Sequence, residues 1–349
     1  MLEQVGLAAV LINGQHNFAW ITGGASNGID LSQGAGAASI MVCSTGKRFL
    51  LTNNIEMQRM LNEQLSGSDF EPVEYSWQDE KASSSYVIEK ARQLVNGEVT
   101  TDTFIENKLA ECRYSLTEAE RERFRKLGRD ASDAMVETVA QVSPGQSEIR
   151  IAERLRQELA ARRIASIVTL VAADERIAKY RHPDPTDNVW GKELLLVTCA
   201  KRHGLIASLS RIVTVGEPGE DLKQKTEAAA FVHASLLNAT KVGTTGRKLY
   251  ATAQRAYEQS GHAGEIDLHH QGGSAGYRTR DWVAHPASGE SVMMHQAFAW
   301  NPSITGTKVE ETCIVGNDRV EIITAQPGQP TITTMIDGHE YHSPGIISI

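Results

Sequence analysis

A general acid or base needs a pKa near the working pH and a fixed position, and imidazole on a stiff loop offers both. His182 stands in Arg181-His182-Pro183-Asp184-Pro185-Thr186, where each proline fixes its own φ and restricts the residue before it. An ordinary surface-loop histidine fits the same pattern, and the residues alone leave both readings open. A second polar run, Asn301-Pro302-Ser303-Ile304-Thr305-Gly306-Thr307-Lys308-Val309-Glu310-Glu311-Thr312, reads as a strand that turns at Gly306 and re-enters a strand. The two-residue period puts Lys308 and Glu310 on one face. They form either a solvated ion pair or a tuned pair inside a pocket.

Other patterns carry less. Gly272-Gly273-Ser274-Ala275-Gly276 matches G-x-S-x-G, but a nucleophile elbow needs a helix after the serine. Tyr277-Arg278-Thr279-Arg280-Asp281-Trp282 has no helical apolar stripe, so Ser274 is not expected to be a nucleophile. The same glycines lack the lysine of a phosphate loop. No H-E-x-x-H, cysteine pair or aspartate-rich calcium loop is present. His269 and His270 are adjacent, and on a strand they would face opposite sides, so one surface and one packed imidazole is expected ahead of the alternative, a metal-binding pair. Cys43, Cys112, Cys199 and Cys313 lie far apart, as expected of reduced, mostly buried thiols.

These residues sit in a chain of 349 amino acids with 35 basic and 43 acidic side chains, a net charge of −8. An acidic balance argues against nucleic acid or an anionic membrane as partner. The longest apolar runs, Leu194–Val197 and Ala8–Ile12, have the length of buried strands and fall short of a membrane span. Met1-Leu-Glu-Gln has no basic n-region, so no signal peptide and a cytoplasmic location are expected.

The elements that must position the candidates are legible in outline. Gly6–Ile12, Ala37–Cys43 and Arg48–Leu51 read as strands, and Ile55–Leu65 and Lys81–Val95 as helices, which predicts an α/β domain over 1–113. From 115 to 349 the pattern is α+β. Thr117-x-x-Glu120 is a capping box, followed by Phe124, Leu127, Ala131, Met135 and Val139 at helical spacing. Pro144-Gly145 ends that helix, and Ser147 starts a second with Ile151, Leu155 and Leu159 on one face. Asp221–Leu237 and Gly246–Gln259 form another helix pair. Strands are predicted at Ser166–Ala172, Glu193–Ala200, Leu205–Val215, Met293–Trp300 and Thr312–Val315.

The order of these segments resembles the creatinase / aminopeptidase P / prolidase family, the M24 pita-bread hydrolases. Gly6-Leu-Ala-Ala-Val-Leu-Ile-Asn and Asn17-Phe-Ala-Trp-Ile-Thr-Gly23 are similar to the family's N-terminal strand and its N-x-x-Y-L-T-G segment. Pro144-Gly-Gln-Ser-Glu148 resembles its P-G-x-x-E turn. The resemblance implies a smaller creatinase-type α/β domain before a pita-bread domain, and a homodimer. It also implies two divalent metals held by Asp, Asp, His, Glu and Glu. The matching positions here are Thr198, Ser208, Gly273, Asn301 and Glu310, which are expected to converge on one pocket. One carboxylate cannot hold a pair of hard cations, so no metal and no other cofactor are expected.

Creatinase cleaves a C–N bond without metal, through a histidine in H-N-P-V-T, and His182-Pro-Asp-Pro-Thr186 resembles that segment. The resemblance thus points to metal-independent C–N hydrolysis of a small molecule or short peptide. His182 and Glu310 would be catalytic, and Thr198, Ser208, Asn301, Lys308, Arg278 and His269 would bind substrate, with Arg280 beside Arg278 as a further candidate for its carboxylate. The alternative is a catalytically silent binding module, as in the pita-bread domain of a histone chaperone. An ordinary Xaa-Pro metallopeptidase fits the substituted ligand positions least.

Overall fold

Alternating apolar residues build the first sheet. β1 (Ala9–Gly14) pairs antiparallel with β2 (Ala35–Cys43), Val10 opposite Val42, and β2 pairs antiparallel with β3 (Arg48–Asn53). β4 (Glu71–Tyr75) and β5 (Val99–Thr101) join in parallel, giving the order β4-β3-β2-β1-β5. One face of this sheet buries Leu11, Met41, Phe49 and Leu51, and the other buries Ile40 and Leu50 with Phe18 and Met60. A sheet buried on both faces needs covering helices. They are α1 (Gln15–Ile21), α2 (Met57–Arg59, prolonged by a π-helical turn over Met60–Gln64), α3 (Trp77–Ala82), α4 (Tyr86–Arg92) and α5 (Glu106–Arg113).

The single helix expected over Lys81–Val95 is two, α3 and α4. Ser83 is extended at φ −145°, and its hydroxyl accepts the Ser85 N–H. Serine side chains compete for backbone groups in this way and interrupt helices.

The computed structural model describes all 349 residues as two units, Met1–Arg113 and Tyr114–Ile349, each with its own apolar core. In the second unit α6 (Glu118–Gln141) opens with the capping box, Thr117 accepting the Glu120 N–H and the Glu120 carboxylate accepting the Thr117 N–H. It packs on α7 (Glu148–Ala161) and on a sheet of β6 (Ala165–Ala173), β7 (Glu193–Arg202) and β8 (Leu205–Thr214). The short α8 (Glu175–Lys179) lies between β6 and β7 in sequence.

The second half repeats the plan. α9 (Glu220–Ala239) packs on α10 (Gly246–Gln259), and β9 (Gly272–Ala275), β10 (Trp282–Val283), β11 (Ala297–Trp300), β14 (Glu311–Val315) and β15 (Val320–Ile322) form the order β10-β9-β11-β14-β15. The hairpin β12 (Ser303–Ile304) and β13 (Thr307–Lys308) precedes β14. A further hairpin, β16 (Thr331–Ile336) and β17 (His339–Pro344), leads to β18 (Ile346–Ser348), which joins β8 in parallel. The expected strand Met293–Trp300 is confined to Ala297–Trp300, because His295 turns with φ 62°.

The two sheets are tied where β8 meets β14. Thr312 Oγ1 accepts the Ser208 N–H at 2.8 Å and donates to the Ser208 carbonyl at 2.9 Å. The Ser210 N–H donates to the Glu310 carbonyl at 3.2 Å. No helix is long and apolar enough to cross a membrane.

Candidate active site

The loop carrying His182 is held from below by α7. The buried Glu148 carboxylate accepts the Thr186 N–H at 2.9 Å, the Thr186 hydroxyl at 2.8 Å and the Ala173 N–H at 2.8 Å, and it pairs with Arg176. Burial pushes this carboxyl up, but Arg176 and those donors outweigh it and hold the pKa below the ordinary value. Arg181 is anchored as well: it pairs with Glu265 and donates to Thr305 Oγ1 at 2.9 Å and to Ser303 Oγ at 3.2 Å. His182 therefore stands between two fixed neighbours, with its own ring solvent-accessible.

His182 Nε2 lies 3.1 Å from His269 Nε2. His269 and His270 do not alternate across a strand. They occupy a bend before β9, and their rings stack with centroids 4.5 Å apart. His269 is buried, with Nδ1 unpartnered, whereas His270 is exposed. The expectation of one outward and one packed imidazole is thus met in burial but not in direction, since both rings face His182. Burial, then Lys308, push His269 down to about 2, and burial, then Arg280, push His270 down to about 4. His182 is also lowered, by burial and by Lys308 against the opposing pull of Glu310. All three rings are neutral at physiological pH.

Beside them lies a buried charge cluster. Lys308 Nζ is 3.3 Å from Glu310 Oε2, and Arg280 donates to Glu310 Oε1 at 3.4 Å. Trp300 pairs with Glu311 and Ser303 with Lys308 in one continuous register, which sets Asn301 opposite Glu310. Asn301 Oδ1 is buried and unpartnered. Cys199 faces the same cluster; burial pushes its thiol pKa up, and the Glu310, Arg280 and Lys308 charges all act on it.

Residues 122–318 match the sequence model of metallopeptidase family M24. The chain belongs to that family. It is similar to the Xaa-Pro dipeptidase of Lactobacillus delbrueckii subsp. lactis, 23% identical over 221 residues that span 60% of each chain. Among solved structures it is similar to the X-Pro aminopeptidase from Thermotoga maritima MSB8, with TM-score 0.73 at 18% identity over 100% of this chain and 97% of that one. The prolidase from Pyrococcus horikoshii OT3 gives TM-score 0.75 at 18% identity over 93% and 95%. At such identities the likeness establishes the fold, the α+β pita bread.

The geometry separates the five residues that the family resemblance singled out. Cys199 is directly opposite Ser208 on the β7–β8 ladder, and Ser208 Oγ donates to Cys199 Sγ at 3.3 Å. Thr198, one residue along, points to the other face, where its hydroxyl meets Ser166 Oγ at 2.9 Å. Thr198 is therefore not brought to the cluster; Cys199 is. Gly273 cannot carry a side chain as β9 stands, because a Cβ there would meet the Trp282 carbonyl oxygen at 2.1 Å. Gly273 thus offers no side-chain donor, and the Lys308 ammonium already lies against Glu310.

Arg278 is exposed, and of the two arginines Arg280 is the one that reaches Glu310. Ser274 is buried in β9, accepts a hydrogen bond from Gln296 Nε2 at 2.9 Å and is followed by no helix, so no nucleophile elbow exists. Sequence reading missed Cys199 and Glu148 as parts of this site, and did not anticipate that His270 stacks on His269 beside it. Glu148 had a signal, the P-G-x-x-E turn.

Proposed function

We propose that this M24 chain hydrolyses a C–N bond in a small nitrogenous substrate that carries a carboxylate, without the dinuclear metal of its catalytic relatives. The observation that carries the reading is His182, neutral and loop-fixed, 3.1 Å from His269 and beside the Lys308–Glu310–Arg280 cluster. His182 takes a proton from water as the water oxygen bonds to the carbon, and returns it to the departing nitrogen as the C–N bond breaks. His269 holds the imidazole in position. Lys308 and Arg280 supply positive charge for the substrate carboxylate and for the oxyanion, and Glu310 and Asn301 orient the nitrogen side. Serving as a homodimer in the cytoplasm belongs to the same proposal.

The test is a screen of short peptides, small amides and guanidino acids with chelator-treated protein. Turnover is expected to persist in EDTA, and His182→Ala is expected to lower kcat at least ~100-fold. Turnover that EDTA abolishes, or that His182→Ala leaves intact, sinks the reading.

A further inference from the structure

We propose that His182, His269 and His270 form a mononuclear site for a borderline divalent ion of the zinc, nickel or copper class, distinct from the family's dinuclear position and goes beyond the hydrolytic reading. One ring nitrogen from each of the three lies within 4.8 Å of the other two. A tetrahedral zinc with Zn–N bonds of about 2.0–2.1 Å needs nitrogens about 3.3 Å apart. The His182–His269 pair, at 3.1 Å, already meets that spacing. His270 has to close by at most about 1.5 Å to reach the same tetrahedral spacing, and its side chain is exposed.

Two facing imidazole nitrogens can be satisfied by one shared proton or by one cation between them. The third ring, stacked at 4.5 Å on the second, adds nothing to a proton-sharing pair but completes a ligand triangle. Exposure of His182 and His270 leaves an entry path and a fourth position open to water.

The donor atoms set the selectivity, because Lys308 and Arg280 against Glu310 leave a net positive surrounding that repels every dication alike. Three nitrogen donors suit zinc, nickel and copper, and do not suit magnesium or calcium. An ion there occupies the His182 lone pair, so metal loading and His182-based hydrolysis exclude each other.

Chelator-stripped protein is titrated calorimetrically with ZnCl2, MgCl2 and CaCl2, and with CoCl2 followed optically. One zinc per chain is expected to bind with Kd below ~1 µM, near −8 kcal/mol, with tetrahedral cobalt bands and no binding of magnesium or calcium. His270→Ala removes a ring that has no role in the proposed hydrolysis and is expected to weaken zinc at least ~10-fold, whereas His339→Ala, at the exposed start of β17, changes nothing. Unchanged zinc affinity in His270→Ala, or a wild-type Kd above ~1 mM, overturns the site. Zinc binding by a chain that hydrolyses no substrate even when chelator-stripped supports the site and defeats the hydrolytic reading. Hydrolysis by a chain that binds no zinc defeats the site alone. Turnover suppressed by zinc in the wild type but not in His270→Ala supports both.

Discussion

At the scale of single residues, the contrast between Thr198 and Cys199 shows how sharply strand parity decides what reaches a pocket. The side-chain period of a strand is two, so a one-residue slip in alignment moves a side chain to the other face of the sheet. Thr198 hydrogen-bonds Ser166 on the face away from Ser208, and Cys199 takes the place opposite Ser208. Thr198→Val is accordingly expected to leave kcat/KM within about twofold while costing about 1 kcal/mol of stability for the lost hydrogen bond. Paired activity and urea-denaturation measurements check this; a large loss of activity at full stability would contradict the register argument. His182, Lys308 and Glu310 were legible because proline-flanked rigidity and two-residue spacing are local signals. His270 was not, since a bend rather than a strand at 269–270 is set by the tertiary course of the chain.

Elements tell a similar story. The capping box, the stop at Pro144-Gly145 and the serine-capped start of α7 are chemical signals within a few residues, and α6 and α7 begin where those signals stand. Short strands such as β4, β5 and β18 carry little pattern of their own and exist because a neighbour offers an edge. α9 holds a group whose chemistry depends on such packing. His233 is buried against β17, its Nδ1 2.8 Å from Ser343 Oγ, and burial, then Arg211, push its pKa down to about 3. Arg211 itself pairs with Glu311 at 3.0 Å, so that cation is held in place. Because the folded pKa is depressed, the unfolded chain binds a proton that the folded chain refuses over pH 6.5 to about 3. Stability contributed by neutral His233 is full above that window and falls with acid by up to about 1.4 kcal/mol per pH unit. His233→Gln is expected to flatten the pH dependence of unfolding free energy by that slope between pH 6 and 4. Identical slopes for both proteins would show that His233 accepts its proton in the folded state.

For the whole molecule, the fold class and the family were carried by the order of motifs along the chain rather than by any one of them. The α/β arrangement of the first unit and the α+β arrangement of the second both follow from hydrophobic periodicity, and the comparison with solved M24 structures agrees over nearly the full length. Assembly is a separate matter. A homodimer predicts a sedimentation mass of twice the 38.1 kDa chain at micromolar concentration. A species at the single-chain mass under those conditions would remove the dimer from the proposal. Two-fold closed pairs are the commonest soluble oligomers, so the measurement tests a specific and ordinary arrangement.

The close approach of β10 to Gly273 has a consequence for how this pocket can be re-engineered. A library that installs new side chains in this pocket one codon at a time meets a closed door at 273, where a carbonyl oxygen occupies the space of the first side-chain atom. Every substitution at 273 must therefore first move or re-register the Trp282–Val283 strand against β9. Selections that randomise only ligand positions should stall, whereas those that also vary the 277–285 segment have a route. The barrier on this adaptive landscape is a matter of backbone, not of ligand chemistry.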